Sequence, residues 1–205
     1  MSVLTNREIR EYLSRSEDPL VIMPLIEPRR QCKTNSVDVR LGFDFILFRK
    51  AELSTLDLTD VKLREKIGRY YERVYVGYDQ PFMLHPRELV LGGTLEYLRI
   101  PKDLTVYITG RSTWGRLGLI IATATLIHPG FKGCPTLELV NHGNIPIQLF
   151  PRWPIAQLSF HRLSEPEKAY YQGKYSAWVG PTSPEFSKVS GEQAEQSWLI
   201  ETQTE

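Results

Sequence analysis

The residues with most chemical capacity lie between positions 110 and 160. That stretch opens GRSTWGR (110–116), in which two arginines, a serine and a threonine share a glycine-bracketed turn. Such a turn offers backbone N–H groups, the hydroxyls of Ser112 and Thr113, and the guanidinium forks of Arg111 and Arg116. This donor set suits a phosphate or sugar phosphate. The Gly-Lys-Ser/Thr ending of a P-loop is absent, and a solvated turn with surface arginines would carry the same letters. Further on, PTLELV places one carboxylate, Glu138, among Thr136, Leu137, Leu139 and Val140. On a strand, Leu137 and Leu139 face away from Glu138. An unpaired buried charge is costly, so Glu138 is either paired with a nearby arginine or a general acid/base tuned by burial and an arginine. His128, in the turn IHPG, can meet a ligand or stand exposed. Lys174, beside Tyr175 in a glycine-flanked segment, can close over an anion or stay solvated.

The composition sets bounds on what these groups can serve. With 205 residues, 41% of them hydrophobic and 24% charged, the chain is long enough for one domain, or one with a small appendage. Its net charge of +1 supplies no global field for nucleic acid or an anionic membrane, so no nucleic-acid or membrane partner is expected. No apolar run has the length of a bilayer span. Cys32 and Cys134 are far apart and no His/Cys cluster has zinc spacing, so zinc is not expected. In the absence of a secretory signal, a reduced cytoplasmic compartment is the expectation.

The elements that must position the site read as β. A short helix is expected over 5–15, with Thr5 or Asn6 as cap, Glu8 three residues after Thr5, and Ile9, Tyr12 and Leu13 on one face. Residues 20–25 read as an edge strand closed by prolines. In residues 36–48, Val37, Val39 and Leu41 alternate with Ser36, Asp38 and Arg40; this predicts a half-buried strand with Asp38 and Arg40 on its other face, in an intrastrand or inter-subunit ion pair. Residues 50–73 read as an insertion. After them come short runs at 82–84, 88–101, 104–110, 118–127, 135–141, 145–150 and 154–160. Pro, Gly and Asp separate these runs, and no βαβ alternation appears. An antiparallel sandwich or jelly roll is therefore expected. The polar tail from 165, with Tyr170, Tyr171, Tyr175 and Trp178, carries too many aromatics for a linker and is expected to dock, its Glu/Gln-rich end remaining mobile.

Taken together, SVDVRLG (36–42), ELVLGGTLEYLRIP (88–101), GRSTWGRLG (110–118), IHPGFKGCPTLELVN (127–141), NIPIQLFP (144–151), IAQLSF (155–160) and GKYSAWVGPT (173–182) closely resemble the dCTP deaminase branch of the dUTPase/dCTP deaminase superfamily. The resemblance implies an all-β distorted jelly roll (a dUTPase-like β-clip) with a short N-terminal helix. It implies a homotrimer with active sites between subunits, a β domain over 1–163, and a tail over 164–205 that closes on the nucleotide. The implied activity is hydrolytic deamination of dCTP to dUTP and ammonia, without the zinc of the familiar zinc deaminases and with magnesium held by the triphosphate. Carried over, Glu138 matches the catalytic acid/base, Ser112 the serine that positions water, and Arg116 the arginine that orients the site. Arg111 and Thr113 match phosphate contacts, and Ala124 the place where backbone meets water and base. Thr136 flanks the glutamate. Gln157 matches a nucleotide-binding glutamine, Lys174 a tail lysine on the triphosphate, and Tyr170 or Tyr171 the tail tyrosine.

Departures from the family fall in or beside this site, and one is that the segment between Arg116 and Ala124 is about one residue shorter than the family pattern. His128 stands where the family usually has an aspartate against the deoxyribose. A histidine can donate to a 3′-hydroxyl but cannot replace that carboxylate as a base, which argues against dUTP diphosphatase or bifunctional activity. Leu126 replaces a frequent arginine, and Trp178 a phosphate-contacting glutamine. The alternatives left by these changes are a dUTP diphosphatase or a diverged, non-catalytic nucleotide-binding member.

Overall fold

Runs rich in β-branched and aromatic residues, cut by Pro, Gly and Asn, form strands because such side chains pack well on a pleated surface. The structure, a computed structural model, describes residues 2–49, 67–169, 171 and 177–183. In chain order the elements are β1 (Ser2–Val3), α1 (Asn6–Leu13), β2 (Val21–Met23), α2 (Pro28–Gln31), β3 (Val37–Phe48), β4 (Tyr71–Tyr75), β5 (Phe82–Leu84), β6 (Leu89–Thr94), β7 (Tyr97–Arg99), β8 (Leu104–Gly110), α3 (Ser112–Arg116), β9 (Leu119–Ile121), β10 (Leu126–Ile127), β11 (Lys132–Gly133), β12 (Thr136–Asn141), β13 (Ile147–Leu149) and β14 (Pro154–Arg162).

The main sheet runs β10-β8-β14-β3-β6-β12-β9, with β1 on β14 and β4 on β3. A three-stranded sheet, β11-β7-β2, and a two-stranded one, β13-β5, complete a distorted jelly roll. The expected edge strand over 20–25 is β2, at the rim of the smaller sheet. Leu41, Phe45, Leu84, Leu98, Leu137, Leu139, Leu158 and Phe160 are almost completely buried, and Phe45 stacks on Phe82 with centroids 4.3 Å apart. Each such side chain contributes about 1.5–3 kcal/mol through burial.

Irregularities in this sheet place the site. β14 slips register on β3 between Pro154 and Ala156, so Ile155 and Ala156 are both buried and Gln157 is turned to the half-exposed face. Gly118, with φ +93°, links α3 to β9. A Cβ there would lie 2.9 Å from the Gly143 nitrogen, so only glycine fits the junction.

The chain divides into two units, Met1–Leu47 with Arg73–Thr182, and Phe48–Glu72 with Ser183–Glu205. In the second, Phe48 packs edge-on against Tyr71, and Arg49 pairs with Glu72 at 2.8 Å beside a 3-10 turn, Ile67–Tyr70. The rest of the expected insertion, residues 50–66, lies outside the described residues. Among the described residues no helix is long and apolar enough to cross a membrane.

Some expectations need correcting. The run 88–101 is two strands, β6 and β7, broken where Glu96 turns inward, and 118–127 is likewise split into β9 and β10. Asp38 and Arg40 do not pair with each other. Asp38 faces Lys33 at 3.6 Å and Arg111 at 3.8 Å, whereas Arg40 binds the fully buried Glu96 at 2.6 Å. Same-strand neighbours two apart are more than 6 Å apart along the chain, so each finds a closer partner on another element.

Candidate active site

β12 carries Glu138. Its burial alternates strictly, with Leu137 and Leu139 in the core and Thr136, Glu138 and Val140 on the half-exposed face. Among the described residues no ion pair with Glu138 is seen, and its buried Oε2 has no hydrogen-bond partner. The backbone N–H of Glu138 donates to Thr123 Oγ1 at 3.0 Å, and its carbonyl accepts from Ala122 N–H at 2.8 Å. Residues 122–125, which contain Ala124, form the break between β9 and β10 beside it, and Ala122 and Ala124 are exposed. Thr136 shares the face of Glu138, but its hydroxyl accepts from the backbone of Thr182 at 3.2 Å and lies 3.3 Å from the Thr182 hydroxyl.

GRSTWGR is not a plain turn. It forms α3, a single helical turn that leaves Ser112, Thr113 and Arg116 exposed. Trp114 anchors it by donating Nε1–H to the Pro154 carbonyl at 2.9 Å, and the Trp114 N–H closes onto the Arg111 carbonyl at 3.0 Å. Just before α3, Arg111 approaches the buried Asp38. Gln157 lies opposite Asp38 on β3 and Thr109 on β8, so Arg111, Asp38 and Gln157 share one corner of the sheet. A cleft of about 910 Å³ opens beside α3, walled by Arg111, Thr113, Trp114, Phe150 and Trp153; Glu138 is not among its walls. Among the described residues no hydrogen bond or ion pair joins Ser112, Thr113 or Arg116 to Glu138.

His128 is exposed in the turn after β10, and its ring stacks on Tyr171 with centroids 5.1 Å apart and planes 16° from parallel. Tyr171 also reaches Phe131 and packs against the core. Leu126 is 40% exposed on β10. Trp178 is half-exposed, yet its carbonyl accepts from Cys134 N–H at 2.9 Å, and Ala177 N–H donates to Lys132 at 2.6 Å. Gly133 makes this approach possible: with φ +139°, a Cβ there would sit 2.9 Å from the Trp178 oxygen. The expected docking of the tail is thus seen at residues 177–182. Tyr170 and Lys174 lie outside the described residues.

Two residues, one beside Glu138 and one in the interior, escape a reading of the sequence. Thr123 sits in ATAT, where threonine is ordinary for a strand; only the return of its hydroxyl to Glu138 singles it out. Glu96, within LEYLRI, accepts from Arg40 N–H at 2.7 Å, Arg40 Nε at 2.6 Å and Gln31 Nε2 at 3.2 Å. Burial pushes its carboxyl upward, and the bonds and charge of Arg40 pull it back.

With this geometry in place, comparison with known proteins is specific. The family described as dCTP deaminase-like matches residues 3–163. A dCTP deaminase from Natronomonas pharaonis is 38% identical over 93% of this chain and 96% of its own length. A relative from Dictyoglomus thermophilum named dCTP deaminase, dUMP-forming, is 40% identical over 88% of this chain and 93% of its own. The crystal structure of the 2′-deoxycytidine 5′-triphosphate deaminase from Agrobacterium tumefaciens superposes with a TM-score of 0.59 at 21% identity. It covers 78% of this chain, which spans 48% of that longer one, and it bears on the fold alone. The motifs, the jelly roll and these full-length likenesses agree: the chain belongs to the dCTP deaminase-like family.

Proposed function

We propose that this protein deaminates dCTP hydrolytically, giving dUTP and ammonia. The observation that carries the reading is the buried, partnerless Oε2 of Glu138, set on a rigid strand beside an exposed break in the neighbouring one. A carboxylate oxygen with no internal hydrogen-bond partner leaves an acceptor open to a substrate water. Glu138 removes a proton from water as the hydroxide adds to C4 of cytosine. It gives that proton to the ring N3, then takes the proton of the new C4 hydroxyl and passes it to the amine, so that the C4–N bond breaks and ammonia leaves with C4 as a carbonyl. Ser112 and Arg116 position the water and orient the site, and the backbone at Ala124 meets water and base. Arg111, Thr113, Gln157 and Lys174 hold the triphosphate, with Tyr170 or Tyr171 from the tail. Thr136 supports the glutamate face, and His128 donates to the sugar.

The donors near α3 are guanidinium and hydroxyl groups, which fit phosphate oxygens rather than a cation. Among the described residues no three His, Cys, Asp or Glu side chains group as a metal cage. We take magnesium to arrive on the triphosphate, where it offsets phosphate charge. The proposed assembly is a homotrimer and the proposed compartment cytoplasmic.

A second reading, release of dUMP, is favoured by the names of several relatives, including those from Dictyoglomus thermophilum and Methanothermobacter thermautotrophicus. Against it stands His128, stacked on Tyr171 at the position where the family's carboxylate would activate a second water. One experiment separates the readings: purified protein with dCTP and magnesium, ammonia measured and nucleotides resolved by chromatography. dUTP as product supports the proposal, and dUMP with pyrophosphate replaces it by the coupled reaction. Binding without ammonia would make this a non-catalytic relative, whereas hydrolysis of dUTP alone would make it a diphosphatase. Glu138→Gln should still bind dCTP but lose about 100- to 10,000-fold in turnover, the scale at which a proton-transfer group contributes. Ammonia release at the wild-type rate would remove Glu138 from the chemistry.

A further inference from the structure

Glu138 occupies a hydrogen-bonded position of the β9–β12 ladder. Leu139 pairs with Ile121 and Val140 with Ile120, so the register brings Glu138 opposite Ala122. Two residues at such a position normally exchange both N–H···O bonds. One is present, from Ala122 N–H to the Glu138 carbonyl at 2.8 Å. The return bond is diverted, because Glu138 N–H donates to Thr123 Oγ1 at 3.0 Å and not to the Ala122 carbonyl. Beyond this point the chain leaves β12. β9 has ended at Ile121, and the Thr125 carbonyl accepts from Ile108 N–H on β8 at 2.9 Å. A side-chain hydroxyl has taken a backbone carbonyl's place in the sheet, where the strand opens beside the partnerless Oε2.

We infer that Thr123 is a positioning residue for Glu138, holding its backbone fixed while keeping residues 122–125 open for substrate. The inference rests on the reading of Glu138 as the acid/base. A hydroxyl can accept and donate at once, so Thr123 satisfies the Glu138 N–H and keeps its own proton for a water or base in the opening. Valine has the shape of threonine but cannot accept. With it, the Glu138 N–H loses its acceptor, and the backbone that carries the carboxylate is no longer fixed. A shift of about 1 Å in a reacting group costs roughly 100-fold in rate.

The test compares wild type, Thr123→Val, Thr123→Ala and Thr123→Ser in dCTP turnover, with amide hydrogen exchange at Glu138 followed in each. The valine and alanine variants should lose about 10- to 100-fold in kcat with KM within about twofold, and serine should recover to within about threefold of wild type. The Glu138 amide should exchange faster in the valine and alanine variants and stay protected in the serine variant. Wild-type kcat in Thr123→Val, or a serine variant as slow as valine, overturns the inference, since shape and not the hydroxyl would then matter. Should the valine variant fail to fold, the alanine and serine pair decides in the same way. If wild type itself releases no ammonia, the functional reading fails, and amide exchange still decides whether Thr123 holds Glu138: equal protection in all variants refutes it.

Discussion

Glu96 and Arg40 form a buried ion pair that a single substitution breaks. Glu96 is completely buried, and Arg40, 13% exposed at its side chain, is held against it at 2.6 Å while also donating to the Pro24 carbonyl at 2.9 Å. Glu96→Gln leaves the guanidinium charged in that setting without its counter-ion, and removing one partner of a buried pair costs about 3–5 kcal/mol. Urea unfolding should show that loss, and Arg40→Met combined with Glu96→Gln should regain most of it. A single-variant loss below about 1 kcal/mol would mean that the pair is dispensable. At this scale the sequence is legible only where a residue breaks its local pattern. Glu138 stands out because a carboxylate interrupts an apolar strand. Glu96 falls in step with Leu98 and Ile100, so alternation alone puts it on the buried face; what LEYLRI does not announce is its partner, Arg40, more than fifty positions earlier. Asp38 was visible as a charge in a half-buried strand, but its partners Lys33 and Arg111 come from other elements.

At the scale of elements, local chemistry was readable wherever it was self-contained. α1 was expected from Thr5 and Glu8, and it carries that capping box: Thr5 N–H and Oγ1–H donate to Glu8 Oε2 at 2.9 and 2.8 Å. These bonds, that of the Thr5 backbone first, hold the Glu8 carboxyl below its ordinary value of 4.5. A depressed pKa in the folded state means that the unfolded chain binds the proton more readily. The contribution is therefore present above the ordinary glutamate range and is lost as pH falls through the depressed value. Thr5→Ala should cost about 1 kcal/mol near neutral pH, and it should weaken this acid-side loss without abolishing it, because the backbone donor remains. Denaturation midpoints from pH 7 downward check both points, and a Glu8→Gln profile with an unchanged acid limb would show that Glu8 contributes none of it. The opposite case is the run 118–127, read as one strand. Its apolar and threonine residues suit a strand throughout, and the break at 122–125 arises from Thr123 and Thr125 bonding to β12 and β8, which no local pattern announces.

At the scale of the molecule, one chain leaves the proposed chemistry divided. Ser112 and Arg116 are exposed on α3 and Glu138 is on β12, with no described hydrogen bond or ion pair between them. The motifs made each residue legible, but which copies of the chain bring them together is a property of assembly that no single sequence or chain displays. The proposed homotrimer resolves the division if each site takes α3 from one protomer and Glu138 from its neighbour. Complementation makes that arrangement testable. Ser112→Ala and Glu138→Gln are each expected to be nearly inactive alone. Co-expressed with different tags and purified through both, mixed trimers contain sites in which the intact Ser112 of one protomer meets the intact Glu138 of the next. Every mixed trimer has one such pairing among its three sites, so about a third of wild-type activity returns. Sites built within a single protomer always carry one of the two lesions, so the mixture would stay inactive. A monomer in sedimentation would remove the shared site outright, and recovery on mixing would show that neither α3 nor β12 is a complete active site without its neighbour.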